Sequence, residues 1–289
     1  MERPRIAIAT CAEHPRLAPD DRALPGALAA RGVAAAPVVW DRLDPRGGGF
    51  DACLLRSAWD YHRRHPEFLA WAEAVAAALP LWNPPELVAW STDKEYLREL
   101  ASAGVPTIPT AWLPRGEPAP LDELLEARGW TEAVLKPTVD LGADRLVRVR
   151  RGEPRGQKRL DALLAGHEVM AQPFLTSVTS SGETSLVFFD GALSHAVRKL
   201  PRHGDFRVQS KWGGSVAAAT PSVAQREVAE RALARVSADP LYARVDLVEG
   251  EDGTPLLIEL ELVEPNLYLG TAPGAAERLA AAVAERLRR

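Results

Sequence analysis

Three acidic residues, Asp246, Glu259 and Glu261, fall where strand alternation would gather them. Tyr242–Val248 and Pro255–Val263 read as strands flanking Asp252-Gly253, a dipeptide that favours a tight hairpin. A two-residue turn there pairs Glu251 with Thr254, setting Asp246 opposite Glu259 and Arg244 opposite Glu261. The four side chains then share one face, because residues two apart on a strand point the same way. The other face reads Ala243, Val245, Leu247, Leu256, Ile258, Leu260 and Leu262, a core face. Three carboxylates on one half-face repel, and Arg244 offsets only part of that. A divalent cation bridging phosphates would offset the rest, since Mg2+ takes one or two carboxylates plus phosphate oxygens and water. A solvated face with one Arg–Glu pair is the plain alternative.

Lysine is scarce, five against thirty arginines, so each one draws notice. Lys136 closes the apolar strand Ala133–Lys136, as a snorkelling surface residue or as a ligand group. Lys94 is expected on the first turn of a helix capped by Ser91-Thr92-Asp93 and running to about Ala103, where the dipole disfavours a cation unless an anion binds. Glu168–Leu175 is apolar and then broken at Gln172-Pro173-Phe174-Leu175. It suits a core strand leading to an edge, or a slot where backbone groups read the edge of a base. A second Asp-Gly hairpin, Asp190-Gly191, sets Glu183 opposite Arg198 and Ser185 opposite Ala196. The basic stretch Arg198, Lys199, Arg202 and Arg207, followed by Lys211-Trp212-Gly213-Gly214, is either a solvated face or a phosphate clamp.

A further group follows the strand Ala52–Leu55. Arg56 carries a planar fork suited to bidentate capture of a carboxylate. Asp60 and His62, in the same loop, would bind or orient an amino group, and Ser57 either joins them or caps the next helix. The plain alternative pairs Arg56 with Asp60. Failing Arg56, the acceptor site moves towards Arg207, Lys211, Gly213 and Gly214.

These groups need elements to position them. Strands Arg5–Cys11, Ala34–Trp40 and Ala52–Arg56 alternate with helical patterns at Arg22–Ala30 and Pro66–Ala78, which implies a parallel sheet with ligands outside its carboxyl strand ends. No G-x-G-x-x-G follows a strand, which argues against a dinucleotide site. Short strands with antiparallel hairpins then follow, covered by helices Ser222–Val236 and Ala275–Leu287. The expected units are a parallel α/β domain over 1–104 and antiparallel α+β subdomains over 105–175 and 176–289. With 289 residues, 46% hydrophobic and 26% charged, the chain falls in the soluble globular class. A net charge of −4 argues against nucleic acid, and no apolar run nears the ~18 residues of a membrane span. The N-terminus lacks a signal-peptide pattern, and Cys11 and Cys53 lie in apolar segments, so a reducing cytoplasm is expected.

In chain order these pieces resemble the ATP-grasp superfamily. The resemblance rests on Thr92-Asp93-Lys94, Val134-Leu135-Lys136-Pro137, Gln172-Pro173-Phe174-Leu175, Arg198, Gly204–Gln209, Arg244-Val245-Asp246-Leu247 and Ile258-Glu259-Leu260-Glu261. The closing pattern is similar to the metal-binding aspartate and Glu-x-Asn of glutathione-synthetase-like and ribosomal-protein-glutamate-ligase-like members. A narrower likeness, to cyclo-ligases of the D-cycloserine pathway, rests on Arg56–His62, Leu81-Trp82-Asn83-Pro84-Pro85 and Ser194–Lys199. The resemblance covers the whole chain and implies the ATP-grasp architecture: an N-terminal parallel α/β domain and two antiparallel α+β subdomains clasping ATP. It implies ATP- and Mg2+-dependent activation of a carboxylate as an acylphosphate, attack by an amine, release of ADP, and an amino-acid-like small molecule as partner. Lys94 and Lys136 would then hold phosphates, and Asp246, Glu259 and Glu261 would hold Mg2+. Arg207 with Arg198 would stabilise the acylphosphate. Gln172, Pro173, Phe174 and Leu175 would flank the adenine, with Glu183 a further polar contact.

Two departures stand out. Glu261 replaces the usual Asn, and the loop Thr138–Asp144 holds a single glycine, Gly142, where the family's phosphate loop has more. A non-catalytic nucleotide-binding module and a ligase of peptide termini are the alternatives, and either a monomer or a homodimer is compatible with the sequence.

Overall fold

In the computed structural model, which describes residues 3–289, the strands form three sheets. The first holds β1 (Arg5–Thr10), β2 (Ala34–Val39), β3 (Ala52–Leu55) and β4 (Leu81–Trp82) in the order β2-β1-β3-β4, parallel throughout. Its central strands are apolar on both faces, as helices on both sides require. Helices Leu24–Ala30 and His65–Ala76 supply two of the connections. The second sheet is antiparallel: β5 (Ala111–Leu113), β6 (Glu132–Pro137), β7 (Val147–Arg150) and β8 (Val169–Pro173), in the order β5-β8-β6-β7. The third runs β11-β10-β9-β12-β13, also antiparallel. Its strands are β9 (Glu183–Phe189), β10 (Ala192–Leu200), β11 (Ser215–Ala219), β12 (Tyr242–Glu249) and β13 (Pro255–Glu261).

The expected helix from Ser91 to Ala103 is corrected to two helices, Pro85–Thr92 and Tyr96–Ser102. Pro85 starts the first at a position where a missing N–H costs nothing, so the chain becomes helical before the expected cap. Thr92 therefore ends a helix, its hydroxyl bonded back to the Val88 carbonyl at 2.9 Å. Lys94 sits in the joint, where its backbone N–H donates to the Thr138 carbonyl at 3.0 Å.

The C-terminal helix Ala275–Arg286 packs on Leu24–Ala30 and on β9 and β10. Leu279 and Val283 share one core with Ile6, Ile8, Leu24 and Leu28, and with Val187 and Val197 of the third sheet. The chain's end thus ties the parallel sheet to the antiparallel one. Among the described residues no helix is long and apolar enough to cross a membrane. Cys11 and Cys53 are free and buried, and burial pushes the Cys53 thiol up to about 12.

Candidate active site

The β12–β13 hairpin has the expected pairing where the acids lie: Asp246 opposite Glu259 and Arg244 opposite Glu261. Its turn differs. The loop spans 250–254, with the Gly250 N–H donating to the Thr254 carbonyl at 2.8 Å, and Glu249 pairs with Pro255. A bulge at Ile258 then restores the register, since Leu247 faces Leu257 and Asp246 faces Glu259. Leu257, not Leu256 or Ile258, consequently enters the core, and Ile258 turns to the site side. The linker sets this shift: Leu257 bonds to Pro106 at 2.8 Å and receives Ile108, so its backbone is claimed from the sheet edge.

A second bulge corrects the β9–β10 hairpin. The turn at Asp190-Gly191 forms with both residues at positive φ, as a type I′ turn demands. An extra residue at Ser194, whose hydroxyl receives Arg278 of the C-terminal helix at 2.8 Å, moves the pairing by one. Lys199 now faces Glu183, and Arg198 faces Thr184 on the opposite side of the sheet, exposed. Arg198 therefore lies away from the carboxylates, and Lys199 takes its place among them. The parity of one strand residue decides which of two adjacent cations reaches the site.

The expected repulsion on the carboxylate face is corrected too, because several cations enter it. Asp246 accepts Ser185 at 2.6 Å, Arg244 at 3.0 and 2.9 Å, and Lys199 at 2.9 Å. Lys199 also bonds Glu183 at 2.9 Å, and Arg244 also meets Glu261. Lys94 reaches Glu259 at 3.1 Å and the Asp140 carbonyl at 2.8 Å. Burial opposes ionisation of Asp246, yet Arg244 and Lys199 hold its carboxyl well below the ordinary range. Burial likewise opposes Glu259, which Lys94 and then Lys136 hold down. Glu261 behaves differently. Burial, with Glu259 and Asp246 beside it, pushes it up to about 7 against the pull of Arg244.

Beside this face a cleft opens between the second and third sheets. Lys136, Gln172, Pro173, Phe174, Leu175, Glu183 and Arg207 all line it, gathered from four stretches of sequence. Ile108, Val134, Val178 and Ile258 add apolar walls that sequence reasoning missed, and the bulge explains Ile258. Lys136 is buried and, among the described residues, has no ion-pair partner; burial and then Lys94 pull its pKa down. Arg207 is held flat, bonded to Asp205 at 3.0 and 2.8 Å and stacked 3.6 Å over Trp212. Lys211 pairs with Asp144, and the Trp212 indole donates to Gly142 at 3.2 Å, so this segment grips the loop Thr138–Asp144. Gly142 permits the approach, since a Cβ there would lie 2.7 Å from Lys211 Nζ, and Gly214 lets the segment fold on itself, its Cβ position being 2.0 Å from the Val208 carbonyl oxygen.

With that geometry in place, comparison with known proteins decides the family. The profile of the D-cycloserine synthetase DcsG N-terminal domain matches residues 6–83, and that of the prokaryotic glutathione synthetase ATP-grasp domain matches residues 117–265. The cycloserine biosynthesis protein DcsG of Streptomyces lavendulae is 38% identical over 271 residues, 89% of this chain and 90% of that protein. The chain belongs to the DcsG family of ATP-grasp ligases. A crystal structure of D-cycloserine synthetase DcsG superposes with a TM-score of 0.88 at 36% identity, covering 98% of this chain and 99% of the other. A D-alanine–D-alanine ligase from Bacillus anthracis, solved with ATP, shares the fold alone, with a TM-score of 0.70 at 15% identity over 100% and 98% of the two chains.

The strand-end loop of this DcsG-family ligase departs from the expectation for its charges. Arg56 is 1% exposed; its Nε bonds Asp21 at 3.0 Å and its Nη2 bonds the Pro265 carbonyl at 2.7 Å. Bidentate capture of a ligand by Arg56 is therefore corrected, since only Nη1 is without a partner. Ser57 donates to Asp21 at 2.7 Å and receives the Ala18 N–H, so it caps no following helix. Asp60 accepts the Trp40 indole at 2.8 Å and does not pair with Arg56. His62 is half-buried, with Nδ1 unpartnered and its pKa pulled down by burial.

Proposed function

We propose that the chain is an ATP- and Mg2+-dependent carboxylate–amine ligase that activates an amino-acid-like small molecule as an acylphosphate and releases ADP and phosphate. The observation that carries this reading is the cleft in which Lys136, Gln172–Leu175, Glu183 and Arg207 converge beside Glu259. In this reading a base would lie between Ile108, Val134, Leu175 and Ile258. Lys136, buried without a counter-ion, is placed for a phosphate, and Lys94 joins it on release from Glu259. The working parts in this reading are the units 1–104, 105–175 and 176–289.

Among the described residues no three ligand side chains converge on a metal position, but Mg2+ asks for only one or two carboxylates with phosphate oxygens and water, which Glu259 and Glu261 would supply. Glu261, pushed up to about 7 by burial and its acidic neighbours, marks a local excess of negative potential that a dication relieves. Glu259 and Glu261 would hold the metal. Asp246, with both oxygens occupied by Ser185, Lys199 and Arg244, would join once a cation lets go. Bound there, Mg2+ supplies charge neutralisation on the phosphates. Arg207, fixed by Asp205 and Trp212 at the cleft, would stabilise charge developing on the transferred phosphoryl group, a preorganised donor of the kind that lowers such barriers.

Purified protein incubated with ATP, Mg2+ and pooled amino acids is expected to release ADP, not AMP, and to yield a hydroxamate when hydroxylamine is present. Release of AMP, or ADP release indifferent to the amino acids, counts against the reading. The match to the DcsG N-terminal domain favours the narrower reading of intramolecular ring closure. In that case ADP appears with a substrate that carries its own nucleophile and with no added amine.

A further inference from the structure

Among the described residues, four with carboxylate side chains are buried: Asp21, Asp140, Asp246 and Glu264. Three have a cation. Asp21 holds Arg56, Asp246 holds Lys199 and Arg244, and Asp140 has Arg145 at 3.7 Å. Glu264, 5% exposed, has none among the described residues. Its side chain has the Tyr61 hydroxyl beside it, and its main-chain carbonyl takes the Trp59 indole N–H at 3.0 Å. Burial first, and then Glu261, push its carboxyl well above the ordinary value, against the pull of Lys94. Glu264 thus stands where the strand-end loop of the parallel sheet meets the carboxylate face.

That position is where an acceptor would lie: outside the carboxyl ends of the parallel strands and beside the phosphate-facing carboxylates. A buried acid without a cation is poorly solvated, and a ligand ammonium repairs the deficit with an ion pair and charge-assisted hydrogen bonds. His62, next to Tyr61, keeps Nδ1 buried without a partner, but its charged neighbours are Asp140, Arg63, Arg145 and Asp144, so it faces the loop Thr138–Asp144 and not Glu264. Asp60, the acid of the strand-end loop, is committed to Trp40. We propose that Glu264 receives the α-ammonium of the amino-acid-like substrate and so selects amino acids over their deaminated analogues. This assignment rests on the ligase reading above and names the group that recognises its substrate. Discrimination follows because an analogue lacking the amine leaves Glu264 buried and unpaired.

The test titrates the protein, in ADP and Mg2+, with D-cycloserine and with isoxazolidin-3-one, the same ring without the amine. The wild type is expected to favour D-cycloserine at least tenfold. Glu264→Gln, which keeps the shape and a hydrogen bond for Tyr61, should close that gap while the melting temperature holds or rises; a merely structural glutamate would leave the gap and lower the melting temperature. If Glu264→Gln does not fold, Glu264→Asp withdraws the carboxylate by one methylene and should narrow the gap. An undiminished gap in the folded variant overturns the role of Glu264 and leaves the ligase reading standing. A wild type that binds both rings alike, or neither, overturns the assignment too. Failure of the ligase reading shows separately, as ADP release that does not depend on pooled amino acids.

Discussion

The carboxylate face and the strand-end loop are both buried, charged and at the ends of strands, yet their charges are deployed differently. In the loop, Arg56, Ser57 and Asp60 satisfy one another's neighbours: Asp21, the Pro265 carbonyl and Trp40. On the face, burial and its acidic neighbours push Glu261 up to about 7, and Lys136 in the adjoining cleft has no ion-pair partner among the described residues. Charge and burial alone do not mark a ligand site. A buried charge with its partners in place is costly to disrupt, and one left wanting a partner is the stronger pointer to what comes from outside.

The largest effect expected from this contrast is at Arg56. Arg56→Ala strands Asp21 and frees the Pro265 carbonyl, so chemical denaturation should show a loss of roughly 3–5 kcal/mol, the usual cost of breaking a buried pair. A stable variant with only a raised KM for the acid would erase the contrast. Asp246→Asn comes next. Lys199 keeps Glu183 and Arg244 keeps Glu261, so the apo loss should fall near the lower end of that range, about 3 kcal/mol. An unchanged melting temperature would mean that the network of Lys199, Arg244 and Asp246 contributes nothing.

Lys136→Ala should do the reverse of Arg56→Ala. Its apo melting temperature should hold or rise, while calorimetry should show ATP binding weakened by about 1.5–3 kcal/mol, the range for a hydrogen bond to a charged group. Unchanged ATP affinity would remove Lys136 from the site. The smallest effect concerns protons. Glu261 has a folded pKa of about 7, above its unfolded value, so the folded state binds more protons between the two. Its contribution to stability therefore falls as pH rises from about 4.5 to 7. A bound dication would lower that pKa, so Mg2+–nucleotide binding near pH 6.5 should release a fraction of a proton, seen as a buffer-dependent binding enthalpy. Glu261→Gln should abolish the buffer dependence; its persistence would place the proton elsewhere.

Much of this site could be read locally. The alternation around Asp252-Gly253 paired Asp246 with Glu259 correctly even though the turn itself was misread, because the bulge at Ile258 cancels the error in the loop. The segment Gln172–Leu175 and Lys136 were legible as the broken end and the close of apolar strands, and the structure brings both into one cleft. Lys199 could not be distinguished from Arg198, since the deciding bulge at Ser194 is pinned by Arg278, far along the chain.

The sequence by itself determined what depends on short-range periodicity: a parallel sheet followed by antiparallel hairpins, the strand ends that carry Lys136 and Arg56, and the order of motifs. These follow from side-chain alternation and turn chemistry, which act over a few residues. Only the tertiary structure decided which charges are already paired. Arg56 finds the Pro265 carbonyl 209 residues away, Asp246 finds Lys199 47 residues away, and Glu264 finds no cation among the described residues. The field at a buried group is set by what packs around it, and a strand pattern carries no record of which distant residue that will be.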